Sequence, residues 1–175
     1  SETSKRPVIA VDAMGGDHGP EVVVPGALAA LSDGAGCELV FYGDRAVVEE
    51  HVASAGGSDL PVSVIHCSEN IGMSESPASA VRGKPDSPIV RAMNDQRQGR
   101  VDAVVSAGST GAMVAASLLV LGRLKSASRP AIATFVPTVR GETLLLDAGA
   151  NTQGTPEMLL EFARMGAVYC RAMRD

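Results

Sequence analysis

Hydrophobic and polar positions alternate along the chain in blocks that switch between strand-like runs and helical periods. Val8-Ile-Ala-Val is a continuous apolar run that ends on Asp12, the pattern of a strand covered on both faces with a carboxylate at its carboxyl end. Ala13-Met-Gly-Gly-Asp-His-Gly-Pro20 follows as a Gly-rich loop, and Pro20-Glu21 opens a predicted helix that runs to about Ala30. Cys37–Gly43 predicts the second strand. Asp44 then caps a helix with Val47, Val48, His51, Val52 and Ala55 on one face, stopped by Gly56-Gly57, and Val62–His66 predicts the third strand. Short apolar runs alternating with helices predict right-handed crossovers and a largely parallel sheet, an α/β three-layer sandwich.

From Cys67 to Ser87 this rhythm breaks at Pro77, Gly83 and Pro85, with Arg82, Lys84 and Asp86 between them, and the stretch reads as an excursion loop carrying a short helix. Ser87-Pro88 opens a helix through Ile89, Val90 and Met93 that ends at Gly99. The next block is the sharpest in the chain. Val101–Val105 is a β-branched run leading into Ser106-Ala-Gly-Ser-Thr-Gly111 and then an Ala/Leu-rich segment, so strand, tight turn and helix succeed one another directly, with Ala112–Leu121 expected to be buried. Ala131–Val136 and Thr143–Asp147 predict two strands close enough for an antiparallel hairpin, which would make the sheet mixed. A third Gly-rich turn, Asp147–Gly154, precedes a last helix capped at Thr155-Pro156, with Leu159, Leu160, Ala163, Ala167 and Cys170 on its inner face. The absence of a repeat or linker predicts a single domain over residues 1–175.

Composition narrows the chemistry. With 15 basic against 20 acidic residues the formal net charge is −5, and aromatics are 3% of the chain with no Trp, so neither the electrostatics nor the stacking platforms of a nucleic-acid binder are present. The apolar runs fall short of a membrane span. Cys37, Cys67 and Cys170 stand far apart and without His at metal-ligand spacing, which fits a reduced compartment and calls for no metal or cofactor.

The three Gly-rich turns carry the functional signal. Each follows a predicted strand, and in an open parallel sheet ligands sit beyond the carboxyl ends of the strands, where the strand order reverses. Neither GxxxxGK[ST] nor a helix-opening GxGxxG occurs, which argues against nucleotides and leaves a small anion as the expected ligand. Asp12 and Asp147 either hold these turns or serve a ligand, and repulsion of an anion favours holding.

Ile9-Ala-Val-Asp-Ala-Met-Gly-Gly-Asp-His-Gly-Pro20, Ser106-Ala-Gly-Ser-Thr-Gly-Ala112, Arg129-Pro-Ala-Ile-Ala-Thr-Phe135 and Leu144-Leu-Leu-Asp-Ala-Gly-Ala-Asn151, continued by Pro156-Glu and Phe162-Ala-Arg-Met-Gly166, resemble the PlsX family of bacterial phosphate acyltransferases, in order and over essentially the whole chain. The resemblance implies a Rossmann-like sandwich similar to phosphotransacetylases and isocitrate dehydrogenases. It also implies transfer of a fatty acyl group from acyl carrier protein to inorganic phosphate, in a cytoplasmic homodimer that touches the inner face of the membrane peripherally. Where the family reads Ser-Ala-Gly-Asn-Thr-Gly, this chain has Ser109 in the Asn position. Family members run on considerably further, so the chain reads as an N-terminal half, with membrane contact expected from the remainder. A phosphate oxygen attacking a thioester needs positioning and oxyanion stabilisation rather than a protein nucleophile. On that reading Gly15, Gly16, Ser109, Thr110, Gly111 and Asn151 contact phosphate, with Arg82 as a cation, and Asp17, His18 and Lys84 are the catalytic candidates. A phosphotransacetylase-like use of acyl coenzyme A, and a non-catalytic phosphate-binding or dimerisation fragment, remain as alternatives.

Overall fold

The computed structural model describes residues 5–125 and 127–173. The chain divides into two compact units, one running to Leu121 and the other from Gly122.

In the first unit, strands β1 (Val8–Asp12), β2 (Glu38–Gly43), β3 (Val62–His66) and β4 (Ala103–Ser106) form one parallel sheet in the order β3-β2-β1-β4. Helices α1 (Pro20–Ser32) and α2 (Arg45–Ser54) follow β1 and β2, while α3 (Pro77–Gly83) and α4 (Pro88–Arg97) lie between β3 and β4. Alternation along the strands sends residues to two cores. Val11, Leu39 and Phe41 meet Val24 and Leu28 of α1 and Val48 and Val52 of α2, whereas Ala10 and Tyr42 point the other way, to Ala92 of α4 and to Cys67 and Val101. Helices therefore cover both faces, the three-layer α/β arrangement that the apolar runs predicted. Asp44 caps α2 as expected, accepting the Val47 N–H at 3.1 Å.

The stretch 67–87 is more than an excursion. Its helix α3 buries Ala80 and Val81, with Ile71, against Ile89, Val90 and Met93 of α4 and Ala112 and Ala116 of α5 (Thr110–Ala116). Polar staples close it: Lys84 Nζ donates to Glu75 at 2.6 Å and to the Asn70 carbonyl at 2.7 Å, and Asp86 accepts the Ser68 hydroxyl at 2.6 Å and its N–H at 2.8 Å while pairing with Arg91. The Ser68 hydroxyl, with the Ser68 N–H and Arg91, pulls the Asp86 carboxyl down from its ordinary 3.8 to about 2. A value lower in the folded than in the unfolded chain stabilises above about pH 4, and that contribution disappears as the pH falls towards 2. Acidification through this window is expected to open 67–87 first, seen as faster amide exchange at Ser68. Asp86→Asn should do the same at neutral pH at a cost of about 1 kcal/mol once solvent screening of this half-exposed pair is counted.

Two apolar segments sit differently from their sequence reading. Of Ala112–Leu121 only Ala112 and Ala116 are buried, because α5 gives way to a π-helical turn over Ser117–Leu121, whose wider winding turns Leu119 and Leu121 outward. The second unit holds the other case. There β5 (Ala133–Thr138) and β6 (Gly141–Leu146) form the expected hairpin through a turn at Val139-Arg140, but as a two-stranded sheet of its own, so the parallel sheet is not mixed. Helix α6 (Pro156–Ala172), capped by the Thr155 hydroxyl on the Met158 N–H, packs against β6 through Phe162, with Met158, Met165, Gly166 and Cys170 half-buried. The inner face predicted from Leu159, Leu160, Ala163 and Ala167 is exposed instead; Cys170 alone of that set is partly covered. Gly166 lies on the covered side, where a Cβ would make ordinary contact with Leu144 at 3.7 Å. No helix among the described residues is long and apolar enough to cross a membrane.

Candidate functional site

The order of strand addition reverses at β1: β2 and β3 are added on one side and β4 on the other. The loops leaving β1 and β4 consequently emerge side by side at the carboxyl end, the place where open α/β sheets form a ligand crevice. Asp12 and Ser106 are register partners and the last residues of their strands. The Ser106 hydroxyl donates to Asp12 Oδ2 at 2.7 Å and accepts the Gly108 N–H at 3.0 Å, and Asp12 Oδ1 accepts the Met14 N–H at 3.1 Å. Burial pushes the Asp12 carboxyl above its usual range, and these bonds offset the push only in part. Asp12 thus holds turns, as its charge led us to expect.

Two glycines let the loops cross, and a third lets α3 approach α5. A Cβ on Gly15 would lie 2.7 Å from the Gly108 nitrogen and 2.8 Å from Asp12 Oδ2, and one on Gly16 3.2 Å from the Ala107 carbonyl oxygen. Gly111 is hemmed in by the first turn of α3, 2.6 Å from Pro77 to where its Cβ would stand. Ser109 is buried and its Oγ accepts the Ala112 N–H at 3.3 Å, capping α5, while Thr110 beside it is exposed. Gly15, Gly16, Ser109, Thr110 and Gly111 are accordingly brought together. Asp17 and His18 stand exposed in the loop between β1 and α1. Arg82 is exposed near the end of α3, a helix that packs on α5, but the Lys84 ammonium is engaged by Glu75 and Asn70.

A family model described as "Fatty acid synthesis protein" matches residues 8–175. The chain belongs to that family. Among its relatives, the phosphate acyltransferase of Heliobacterium modesticaldum is 47% identical over 162 residues, covering 92% of this chain and 48% of the relative. That of Moorella thermoacetica is 48% identical over 161 residues (92% and 47%), and that of Geotalea daltonii 46% over 167 (95% and 48%). The chain spans about half the length of the curated relatives it matches. Membership of the fatty acid synthesis protein family agrees with the resemblance carried by Ile9–Pro20, Ser106–Ala112 and Leu144–Asn151.

Asn151, the remaining site candidate in this family member, lies in the second unit. Its Nδ2 donates to the Pro130 carbonyl at 2.9 Å and to Asp147 at 3.0 Å, so both amide protons serve the loop. Asp147 accepts the N–H groups of Ile132, Ala150 and Asn151; burial raises its carboxyl, but these bonds together outweigh it and hold the group below the ordinary value. Cys67 is buried just after β3 and pushed up to about 12, chiefly by that burial, so it stays a thiol. Sequence reasoning missed Ser106 and Gly108 as working parts. Their signal was a serine closing a strand, two residues before a glycine, but the partner that gives it meaning is Asp12, 94 residues away.

Proposed function

We propose that the protein containing this chain transfers a fatty acyl group from the thioester of acyl carrier protein to inorganic phosphate, releasing an acyl phosphate. The observation that carries the reading is the crossing of the β1–α1 loop and the β4–α5 turn at the reversal point of the sheet, in a chain whose relatives are named phosphate acyltransferases. An oxygen of hydrogen phosphate attacks the thioester carbonyl, the new C–O bond replaces the C–S bond, and the sulfur leaves as a thiol with the proton that the phosphate gives up. The protein's task is to hold phosphate in line and to neutralise charge. Thr110 offers a free hydroxyl at the crossing, Ser109 retains its hydroxyl proton while its oxygen caps α5, and Gly15, Gly16 and Gly111 let the surrounding main chain close up around that point. Arg82 is the available cation. Asp17 and His18 are placed on a loop from which they can serve the departing thiol, whereas Lys84 steadies α3 and Asn151 steadies its own turn. The reading brings with it a homodimer in the cytoplasm with peripheral membrane contact in the whole protein.

Palmitoyl-ACP and phosphate, assayed for acyl phosphate with this chain and with the polypeptide extended to the length of its relatives, tests the proposal. Turnover is expected in the longer form, and Thr110→Ala should raise its phosphate KM about tenfold, the loss of one hydrogen bond to a charged ligand. Turnover with acyl coenzyme A but not with the carrier protein would move the donor to the phosphotransacetylase type. Phosphate binding without turnover from either donor would leave a binding fragment.

A further inference from the structure

The phosphate site proposed above needs two loops from distant parts of the chain kept at one spacing, and a single buried side chain touches both. Asp12 is 2% exposed. One of its oxygens takes the Met14 N–H of its own loop and the other takes the Ser106 hydroxyl of the opposite turn. A carboxylate only accepts, so the Ser106 proton must point at Asp12, which leaves an oxygen lone pair for the Gly108 N–H at 3.0 Å. The carbonyl of that same peptide, Ala107, lies on the Gly16 side. The polarity of one hydroxyl therefore decides which way the Ala107–Gly108 peptide faces, immediately before Ser109 and Thr110.

We infer that Asp12 is the positioning residue of this site: acting through the Ser106 hydroxyl, it fixes the Ala107–Gly108 peptide and so sets the turn that receives phosphate. The inference rests on the phosphate reading of the crossing, and its structural half can be measured without turnover. Asp12→Asn keeps the shape but, with its oxygen kept on the Met14 N–H, turns an amide donor toward the Ser106 oxygen and so reverses the hydroxyl. Ser106→Ala removes the hydroxyl, and Ser106→Thr restores it.

In the polypeptide extended to the length of its relatives, Asp12→Asn and Ser106→Ala are each expected to raise the phosphate KM about tenfold, with kcat and the KM for palmitoyl-ACP within about threefold of the parent. Ser106→Thr should return to the parent values. The double variant should be no worse than the more damaging single one, because both act along one chain of bonds. Exchange of the Gly108 amide proton, followed by NMR in the same proteins, should accelerate about tenfold in Asp12→Asn and Ser106→Ala and be normal in Ser106→Thr. Unchanged Gly108 exchange, additive effects, or a fall in Tm with phosphate KM unmoved would overturn the inference. If the parent forms no acyl phosphate while Gly108 exchange responds as stated, the functional reading fails and the positioning device stands. If Asp12→Asn does not fold, the Ser106 pair decides.

Discussion

Gly15→Ala is expected to destabilise the first unit by about 3 kcal/mol, although a glycine-to-alanine change usually helps where the backbone allows it. The sign follows from what a single methyl meets. Gly15 is buried, and its Cβ would come within 2.7 Å of the Gly108 backbone nitrogen and 2.8 Å of an Asp12 oxygen. Neither neighbour is the loose end of a flexible side chain: one is main chain, and the other is held by Ser106 and Met14. The loops must part, which adds the loss of the Asp12–Ser106 bond to the overpacking and outweighs the roughly 0.4–1 kcal/mol gained from a stiffer unfolded chain. Gly26 is the matched control, since its Cβ would meet nothing within 4 Å on α1; Gly26→Ala should stabilise by about 0.5–1 kcal/mol through helix propensity. Urea unfolding of the two variants beside the parent, read as shifts of the midpoint in opposite directions, checks both. A Gly15→Ala protein as stable as the parent would mean that the crossing yields easily and is not rigid.

Asp95→Ala carries the second large effect, again about 3 kcal/mol. Tyr42 on β2 is fully buried, and its hydroxyl donates to Asp95 of α4 at 2.6 Å, a bond that ties the sheet to the helix on that face. Asp95 also pairs with Arg100. Burial raises the Tyr42 phenol and the bond to Asp95 raises it further, while for Asp95 burial is outweighed by Arg100 and Tyr42, whose bonds hold the carboxyl low. Removing the carboxylate strands a phenolic O–H in an apolar core and releases Arg100. Tyr42→Phe removes the donor but leaves Asp95 to Arg100, so about 2 kcal/mol is expected there. The double variant should fall well short of the sum because both singles break the same bond. Additive losses in chemical denaturation would show that the pair contributes only through its separate packing.

The elements up to β3 were legible because strand and helix signals agreed locally: Val8–Asp12 is uninterrupted, Asp44 marks a helix start, and the 47-48-51-52 spacing has the helical period. Legibility failed where a local pattern admitted two answers. On α6 both Leu159-Leu160-Ala163-Ala167 and Met158-Phe162-Met165-Gly166 are apolar stripes, and packing against β6, which buries Phe162, is the tertiary fact that separates them. The hairpin was visible, but the strand it would pair with was not, since pairing across the chain leaves no local trace. The site followed the same division. Its glycines and hydroxyls announced themselves, yet the reason for Gly15 is Gly108, and the partners that engage Lys84, a catalytic candidate, and Asn151, a phosphate candidate, are Glu75, Asn70, Pro130 and Asp147, neighbours that no spacing rule supplies.

The bonds that lock Met14, Asp12, Ser106 and Gly108 together are made by the protein's own groups, and this bears on how a guest is greeted. The freedom of these residues is surrendered during folding, so the phosphate binding proposed above would not cost it a second time. Calorimetry of such an encounter would record little ordering of the chain, and its speed would track diffusion and charge rather than any closing motion. The crossing behaves as a mould that is cast before it is filled.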